Sequence, residues 1–295
     1  MTLDIRVLEL DLKSGVYNTA IDSVLQNEVS TGQSPATILF TRWEPTVSLG
    51  ITQNSDLDVD LAACDKYGVQ IVRRKSGGQS VYLDDEYIVY SVIAPRDKFP
   101  ADLTHLRQKF CESIADALNR HNVKAQYYQP DNVIIYSGEN NSEIRQIGNS
   151  GQIINNKAVV VHGSIRYGRK NLPTMTDVLK INGHKLVAYE EQIKKALASV
   201  DEYSSVPKSK ITAELSKSFA SYLSGNLVRG SLTQQEEFAL RNPQDYINDV
   251  RNEPSFTAKG VCYLFMNGKN LVPELSYMLP YNKPSTVADS THQCL

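Results

Sequence analysis

Cysteine is scarce in this 295-residue chain: Cys64, Cys111, Cys262 and Cys294 are spread along it. None forms a CxxC pair, and four such scattered residues exclude a disulfide framework. The five histidines (His105, His121, His162, His184, His292) show no HxxxH or HExxH spacing, which excludes a zinc helix of that type. His292 and Cys294 lie close together in the tail, but two ligands make a poor metal site, and a frayed terminus is expected there. Net charge is only −2. Nothing global favours nucleic acid, so any basic site must be local. No apolar run is long enough to span a membrane. The opening MTLDIRVLELDLKSG carries acids inside its apolar run and lacks a signal-peptide layout. A soluble, cytoplasmic protein is expected, with no nucleic-acid and no membrane partner. Internal repeats and low-complexity tracts are lacking too.

What is present suits a globular protein with a large core: 41% hydrophobic and 22% charged residues. Residues 4–12 alternate as a strand. Tyr17, Ile21, Val24, Leu25 and Val29 share one helical face over 16–29. Ala36 to Trp43 reads as a strand, ended by Glu44-Pro45. Residues 58–67 read as a helix, 69–74 as a short strand and 88–94 as an apolar strand. Leu106, Phe110, Ile114 and Leu118 predict an amphipathic helix between Asp102 and Arg120. Residues 132–137 and 158–165 read as strands separated by a polar loop. Helices fit 187–200 and 210–223, and 224–235 reads as loop. Asn267-Gly268 between apolar runs is a hairpin signal. The irregular alternation predicts a mixed α/β fold, with largely antiparallel sheets packed with helices and a small C-terminal α+β segment. The boundary falls near 230–245, giving a main domain over 1–230 and an accessory segment over 245–295.

Residues 73–91, RRKSGGQSVYLDDEYIVYS, set fixed positive charge beside two glycines. Such a turn brings backbone amides and arginine to an anion, or simply joins two strands below surface arginines. The residues alone leave both readings open.

Taken together, EPTVSLGITQN (44–54), RRKSGGQSVYLDD (73–85), NVIIYSG (132–138) and IRQIGNSGQIINNKAVVVHGSI (144–165) resemble the lipoate–protein ligase A family. That family shares a fold with biotin–protein ligases and octanoyltransferases. The resemblance runs from about residue 16 to about residue 223 and begins with YNTAID (17–22). RR-x-SGG and His162-Gly163 are its most specific parts.

The resemblance implies a biotin/lipoate ligase-like catalytic domain. It implies ATP-dependent activation of lipoate or octanoate as an acyl-adenylate, then transfer to a lysine of a lipoyl-acceptor domain protein. Arg74 would grip phosphate or carboxylate oxygens. Ser76, Gly77, Gly78, Gly148, Ser150, His162 and Gly163 would border the acyl-adenylate. Asp131 and Asn132 would help seat the nucleotide, with Asp131 the candidate Mg²⁺ ligand. Val47, Leu49 and Val81 would line an acyl tunnel.

The chain departs from the family pattern in places. Gln79 and Leu83 stand where the family has glycine and histidine. Gln146 occupies the position of the family lysine, which faces the carboxylate and α-phosphate. Its neighbour Arg145 points to the other face of an extended segment. Lys157 falls in the loop before a strand, and Lys75 is the better substitute cation. Two other readings follow. A transferase of the same superfamily would pass its acyl group through a cysteine thioester; Gln126 stands at the cysteine position of one octanoyltransferase branch, and Cys111 lies on a helix. A module that binds lipoate without adenylating it would explain Gln146.

Overall fold

The computed structural model describes residues 3–137, 143–181 and 183–247. The hairpin expected at Asn267-Gly268, and the accessory segment beyond Ile247, lie outside the described residues. The chain begins β1 (Leu3–Lys13), α1 (Gly15–Ser30), β2 (Ala36–Trp43), β3 (Thr46–Leu49), α2 (Ser55–Asp58), α3 (Leu61–Tyr67), β4 (Gln70–Arg73), β5 (Val81–Leu83) and β6 (Tyr87–Pro95). It continues with α4 (Leu106–Asn119), β7 (Ala125–Tyr128), β8 (Asn132–Ser137), β9 (Glu143–Ile154) and β10 (Ala158–Arg166). Then follow α5 (Leu172–Val178), β11 (Lys180–Ile181), β12 (His184–Lys185), α6 (Glu190–Ala196), α7 (Lys208–Tyr222), β13 (Gly225–Arg229) and α8 (Gln234–Ala239).

The large sheet runs β13-β1-β2-β6-β10-β9-β8-β7, and a small sheet runs β4-β3-β5. β1 pairs in parallel with β13 and β2, and the remaining pairs of the large sheet are antiparallel. Alternation along β10 splits the core. Val159, Val161 and Ile165 pack with Phe110 and Ile114 of α4 and with Leu215 and Phe219 of α7. Ala158 and Val160 pack instead with Ile21 and Leu25 of α1. The small sheet has its own core, in which Val47, Leu49 and Val72 meet Met175 and Val178 of α5. The mixed, largely antiparallel α/β architecture expected from the sequence is the one observed.

Several elements differ from the sequence reading. The polar loop expected before β10 is instead the twelve-residue strand β9, paired on both edges with β8 and β10. EIRQIGNSGQII lacks apolar alternation, so pairing on both sides overrides its local pattern. The helix expected over 58–67 starts later, as α3 at Leu61, and Asp58 instead ends the separate short helix α2. Val59 turns inward to bridge Leu179, and Asp60 caps α3 by accepting from the amide of Ala63. The helix expected over 187–200 is shortened to α6 between 3-10 turns. The region read as loop contains β13, which lies along β1, and the start of α8.

α8 is tied to the body by a buried ion pair. Arg6 Nη1 and Nη2 lie 2.8 and 2.6 Å from the two carboxylate oxygens of Glu236. Ser34 Oγ donates to the same carboxylate at 2.6 Å, and the Glu236 side chain is fully buried. Burial pushes the Glu236 carboxyl up, but hydrogen bonds from Arg6, Ser34 and the Thr233 amide outweigh it and hold it below the usual range. The stabilisation is therefore complete above the unfolded pKa of about 4.3 and is lost as pH falls through the lower folded value. Glu236→Ala strands a buried cation and is expected to remove about 3–5 kcal/mol, read from urea denaturation at neutral pH. At pH 3 the gap between the native chain and the variant should narrow.

Candidate functional site

The turn between β4 and β5 is organised by Arg74. Its Nη1 donates to Ser48 O at 2.6 Å, and its Nη2 donates to Gly77 O at 2.8 Å and Gln79 O at 2.6 Å. Nε donates to Ser76 Oγ at 3.1 Å. Burial of this head, with Arg73 beside it, pulls the guanidinium down to about 10, which leaves it charged at neutral pH. Gly78 takes φ 87°, and a Cβ there would lie 3.2 Å from Arg74 Nη2. Arg74 thus closes the turn on itself. Lys75 is exposed beside it.

The turn also reaches the large sheet. Ser76 Oγ lies 2.7 Å from His162 Nε2, and His162 Nδ1 lies 2.8 Å from Asp22 Oδ2. Asp22 sits on α1, in the stretch 17–22. A hydrogen-bonded line therefore runs from α1 through β10 to the turn. His162 has both ring nitrogens engaged and is placed as a shaping residue. Next to it, Gly163 admits Tyr90: a Cβ would fall 2.1 Å from Asn149 O and 2.5 Å from the Tyr90 hydroxyl. Ser150 pairs opposite Gly163 and is buried.

A cavity of about 120 Å³ opens between the small sheet and the β9–β10 end of the large one. Its polar wall includes Gln79 and Ser80 of the turn, Gln146 and Asn149 of β9, and Ser164 and Arg166 of β10. Its apolar lining includes Val81, Ile147, Met175, Leu179, Ile193 and Leu197. Gly148 and Tyr87 also line it. Asp58 and Lys180 line it too, and burial raises the Asp58 carboxyl despite hydrogen bonds from Asn54 and Gln53 and the charges of Lys180 and Arg73.

Of the residues expected at the site, Val81, Gln146 and Gly148 line this cavity. Arg74, Lys75, Ser76, Gly77, Gly78, Ser150, His162 and Gly163 do not; they form or flank the turn and strand that shape it. Val47 and Leu49, expected in an acyl tunnel, are fully buried in the small-sheet core. Gln146 Nε2 donates to Asn132 Oδ1 at 2.5 Å. Asp131 Oδ2 accepts from Arg107 Nη1 at 2.6 Å, while burial raises its carboxyl against that charge. Asp131, the expected Mg²⁺ ligand, is thus paired with Arg107, and no group of three potential metal ligands occurs among the described residues. Arg145 turns away from Gln146, as alternation required, and meets Glu202 and Tyr203.

The sequence reading missed Arg166 and Tyr87. Arg166 is buried and its Cζ stands 4.7 Å from the Tyr87 ring centroid. Burial pushes the Tyr87 hydroxyl up to about 12, and Arg166 opposes this. Strand alternation was the available signal: His162, Ser164 and Arg166 share one face of β10. Neither described cysteine lines the cavity. Cys64 and Cys111 are fully buried, and burial pushes the Cys111 thiol upward. Cys262 and Cys294 lie outside the described residues. Gln126 is exposed on the edge strand β7.

Residues 14–220 match the family model described as lipoyl protein ligase A/B catalytic domain. Among curated proteins, the chain is 39% identical over 93 residues to an octanoyltransferase LipM of Moorella thermoacetica, covering 31% of this chain and 34% of that relative. It is 26% identical over 210 residues to the LipM of Staphylococcus epidermidis, covering 64% of this chain and 75% of the relative. A probable lipoate-protein ligase A of Mycoplasma pneumoniae is 25% identical over 190 residues, covering 63% of this chain and 52% of the relative. Among solved structures, lipoate-protein ligase A bound with ATP gives a TM-score of 0.69 at 21% identity, covering 85% of this chain and 97% of that one. The bi-partite lipoate protein ligase of Thermoplasma acidophilum gives 0.69 at 21% identity, covering 82% and 92%. At that identity the structural likeness establishes the fold.

The turn geometry is open to test. Gly78→Ala forces a side chain into the left-handed region and against Arg74. It is expected to cost about 1–2 kcal/mol, a fall of roughly 2–8 °C in Tm for a fold of this size, read by calorimetry.

Proposed function

The chain belongs to the lipoyl protein ligase A/B catalytic domain family, and from that premise we propose that it is an ATP-dependent lipoate–protein ligase. The acyl group is lipoate or octanoate, and the acceptor is a lysine of a lipoyl-acceptor domain. The observation that carries this reading is the mixed lining of the cavity: an apolar surface for a medium-length chain beside the amides and hydroxyls of Gln146, Asn149 and Ser164. Each methylene buried there contributes up to about 0.8 kcal/mol, so the alkyl chain of an eight-carbon acid supplies at most about 5–6 kcal/mol, roughly 0.1 mM, and tighter binding needs polar contacts to the carboxylate.

Two bonds are made in turn. A carboxylate oxygen of the acid attacks the α-phosphorus of ATP, and pyrophosphate leaves. The acceptor amine then attacks the acyl carbon; AMP leaves and an amide remains. In both steps negative charge gathers on oxygen, and preorganised donors lower the barrier. Gln146 is such a donor, held by Asn132 through one hydrogen bond. Being neutral, it stabilises that charge less than the lysine the family resemblance calls for. Losing one such donor interaction typically costs about 10²–10³ in rate.

The second reading is acyl transfer without ATP, which the LipM relatives favour by name. In its thioester form it needs a reactive thiolate; among the described residues, Cys64 and Cys111 are both buried and neither lines the cavity.

ATP–pyrophosphate exchange with lipoate and octanoate separates the two. Slow exchange is expected in the native chain, and Gln146→Lys should raise it tenfold or more. Transfer to a lipoyl domain from a protein-bound octanoyl donor, with no exchange, would replace this reading with the second. Lys75→Ala is expected to leave exchange within twofold, because Lys75 is exposed on the turn and does not line the cavity.

A further inference from the structure

Arg166 ends β10, with Tyr87 of β6 opposite it in the register. Only 9% of its surface is exposed, and it lines the cavity. A guanidinium carries five donors and does not deprotonate, so a buried one needs acceptors or counter-charge. The other buried or half-buried arginines meet that need. Arg6 has both oxygens of Glu236, and Arg74 has four protein oxygens. Arg166 has no counter-charge. Its Nη2 lies 3.5 Å from Met175 Sδ, a weak acceptor, its face rests near the Tyr87 ring, and the Tyr87 hydroxyl that it also meets is neutral. No carboxylate among the described residues pairs with it. Asp84, the buried acid nearest in sequence to Tyr87, accepts instead from Asn171 Nδ2 and the Glu86 amide.

The charge is thus permanent, fixed by β10, and turned into a cavity whose family cation is replaced by Gln146. We infer that Arg166 is the oxyanion-binding residue of the cavity, taking the carboxylate of the acyl substrate or a phosphate of the nucleotide. A planar guanidinium holds either group through two parallel hydrogen bonds. Ser164, two residues earlier on the same face, adds a hydroxyl to the same wall. This inference rests on the acyl-cavity reading above for its ligand, though not for its geometry.

The test is calorimetric titration of the whole chain with octanoate, octanamide, AMP and adenosine. Arg166→Met keeps bulk and removes charge; Arg166→Lys keeps charge and loses the fork. Circular dichroism melting of each variant controls for folding. In Arg166→Met, octanoate or AMP should bind at least tenfold more weakly, with octanamide and adenosine within twofold of the native chain. Arg166→Lys should recover part of the loss. A loss confined to octanoate assigns the carboxylate, and one confined to AMP assigns the phosphate. Unchanged affinity for both anions in Arg166→Met overturns the inference, as does failure of the native chain to bind either. Failure of the native chain to bind octanamide counts against the acyl reading alone, since AMP against adenosine still decides Arg166.

Discussion

Arg74 commits its guanidinium to the main-chain oxygens of Ser48, Gly77 and Gln79. Those three bonds fasten the β4–β5 turn to β3 and set its shape. The shape has two consequences on opposite sides of the turn. Ser76 is held against His162, which Asp22 holds in turn, so the small sheet is locked to α1 and the large sheet. Gln79, Ser80 and Val81 leave the turn on the cavity side and form part of its wall. A charged residue used this way is an internal brace. Burial beside Arg73 makes its deprotonated form more accessible than usual, but three carbonyl acceptors keep the charged form in place.

The cavity itself is a product of strand β9. A strand buried on both edges normally reads as apolar, yet this one carries Gln146, Asn149, Ser150 and Gln152. Its hydrogen-bonded edges fix the backbone regardless of side-chain type. That frees other positions, Gln146 and Asn149, to present polar groups to the cavity while Ile147 joins the main core. Asn132 on β8 then orients Gln146 across the strand pair. The register shift between Val133 and Ile134 occurs beside this pair, where an extra residue re-aims a side chain.

Most of the body was legible in the sequence because helices α1, α4 and α7, and strands β1, β2, β6 and β10, carry clean periodicity. The misses share a cause. β9 was hidden because polar, cavity-facing positions replace its apolar alternation, and β13 because an edge strand beside β1 buries little. At the site, the local motif was found but its geometry was not. Arg74 and Gly78 were visible as a turn, whereas the inward aim of Arg74 depends on carbonyls supplied by β3. Val47 and Leu49 looked like tunnel residues because burial in a core and lining of a cavity leave the same apolar trace in sequence. Asp22 was visible within a motif, but its bond to His162 spans 140 residues of chain.

The distribution of positive charge around the cavity follows from the same packing. Lys75 is exposed on the turn that Arg74 closes and does not line the cavity. Arg145 is drawn off by Glu202, and Arg107 by Asp131. Lys180 lines the wall but donates to Asp56 O at 2.6 Å, beside the acid Asp58. What remains on the polar wall is Arg166, whose stem is fixed at the end of β10 and whose partners, a thioether and the ring and hydroxyl of Tyr87, carry no charge to match it. Replacing a lysine by glutamine at position 146 removes charge from one strand, and an arginine three residues beyond Gly163 on the next strand restores a cation to the same space. A rigid fork in place of a mobile ammonium changes what that space selects. Planar oxyanions that accept two bonds gain most, and a ligand must reach the β10 end of the cavity to meet it.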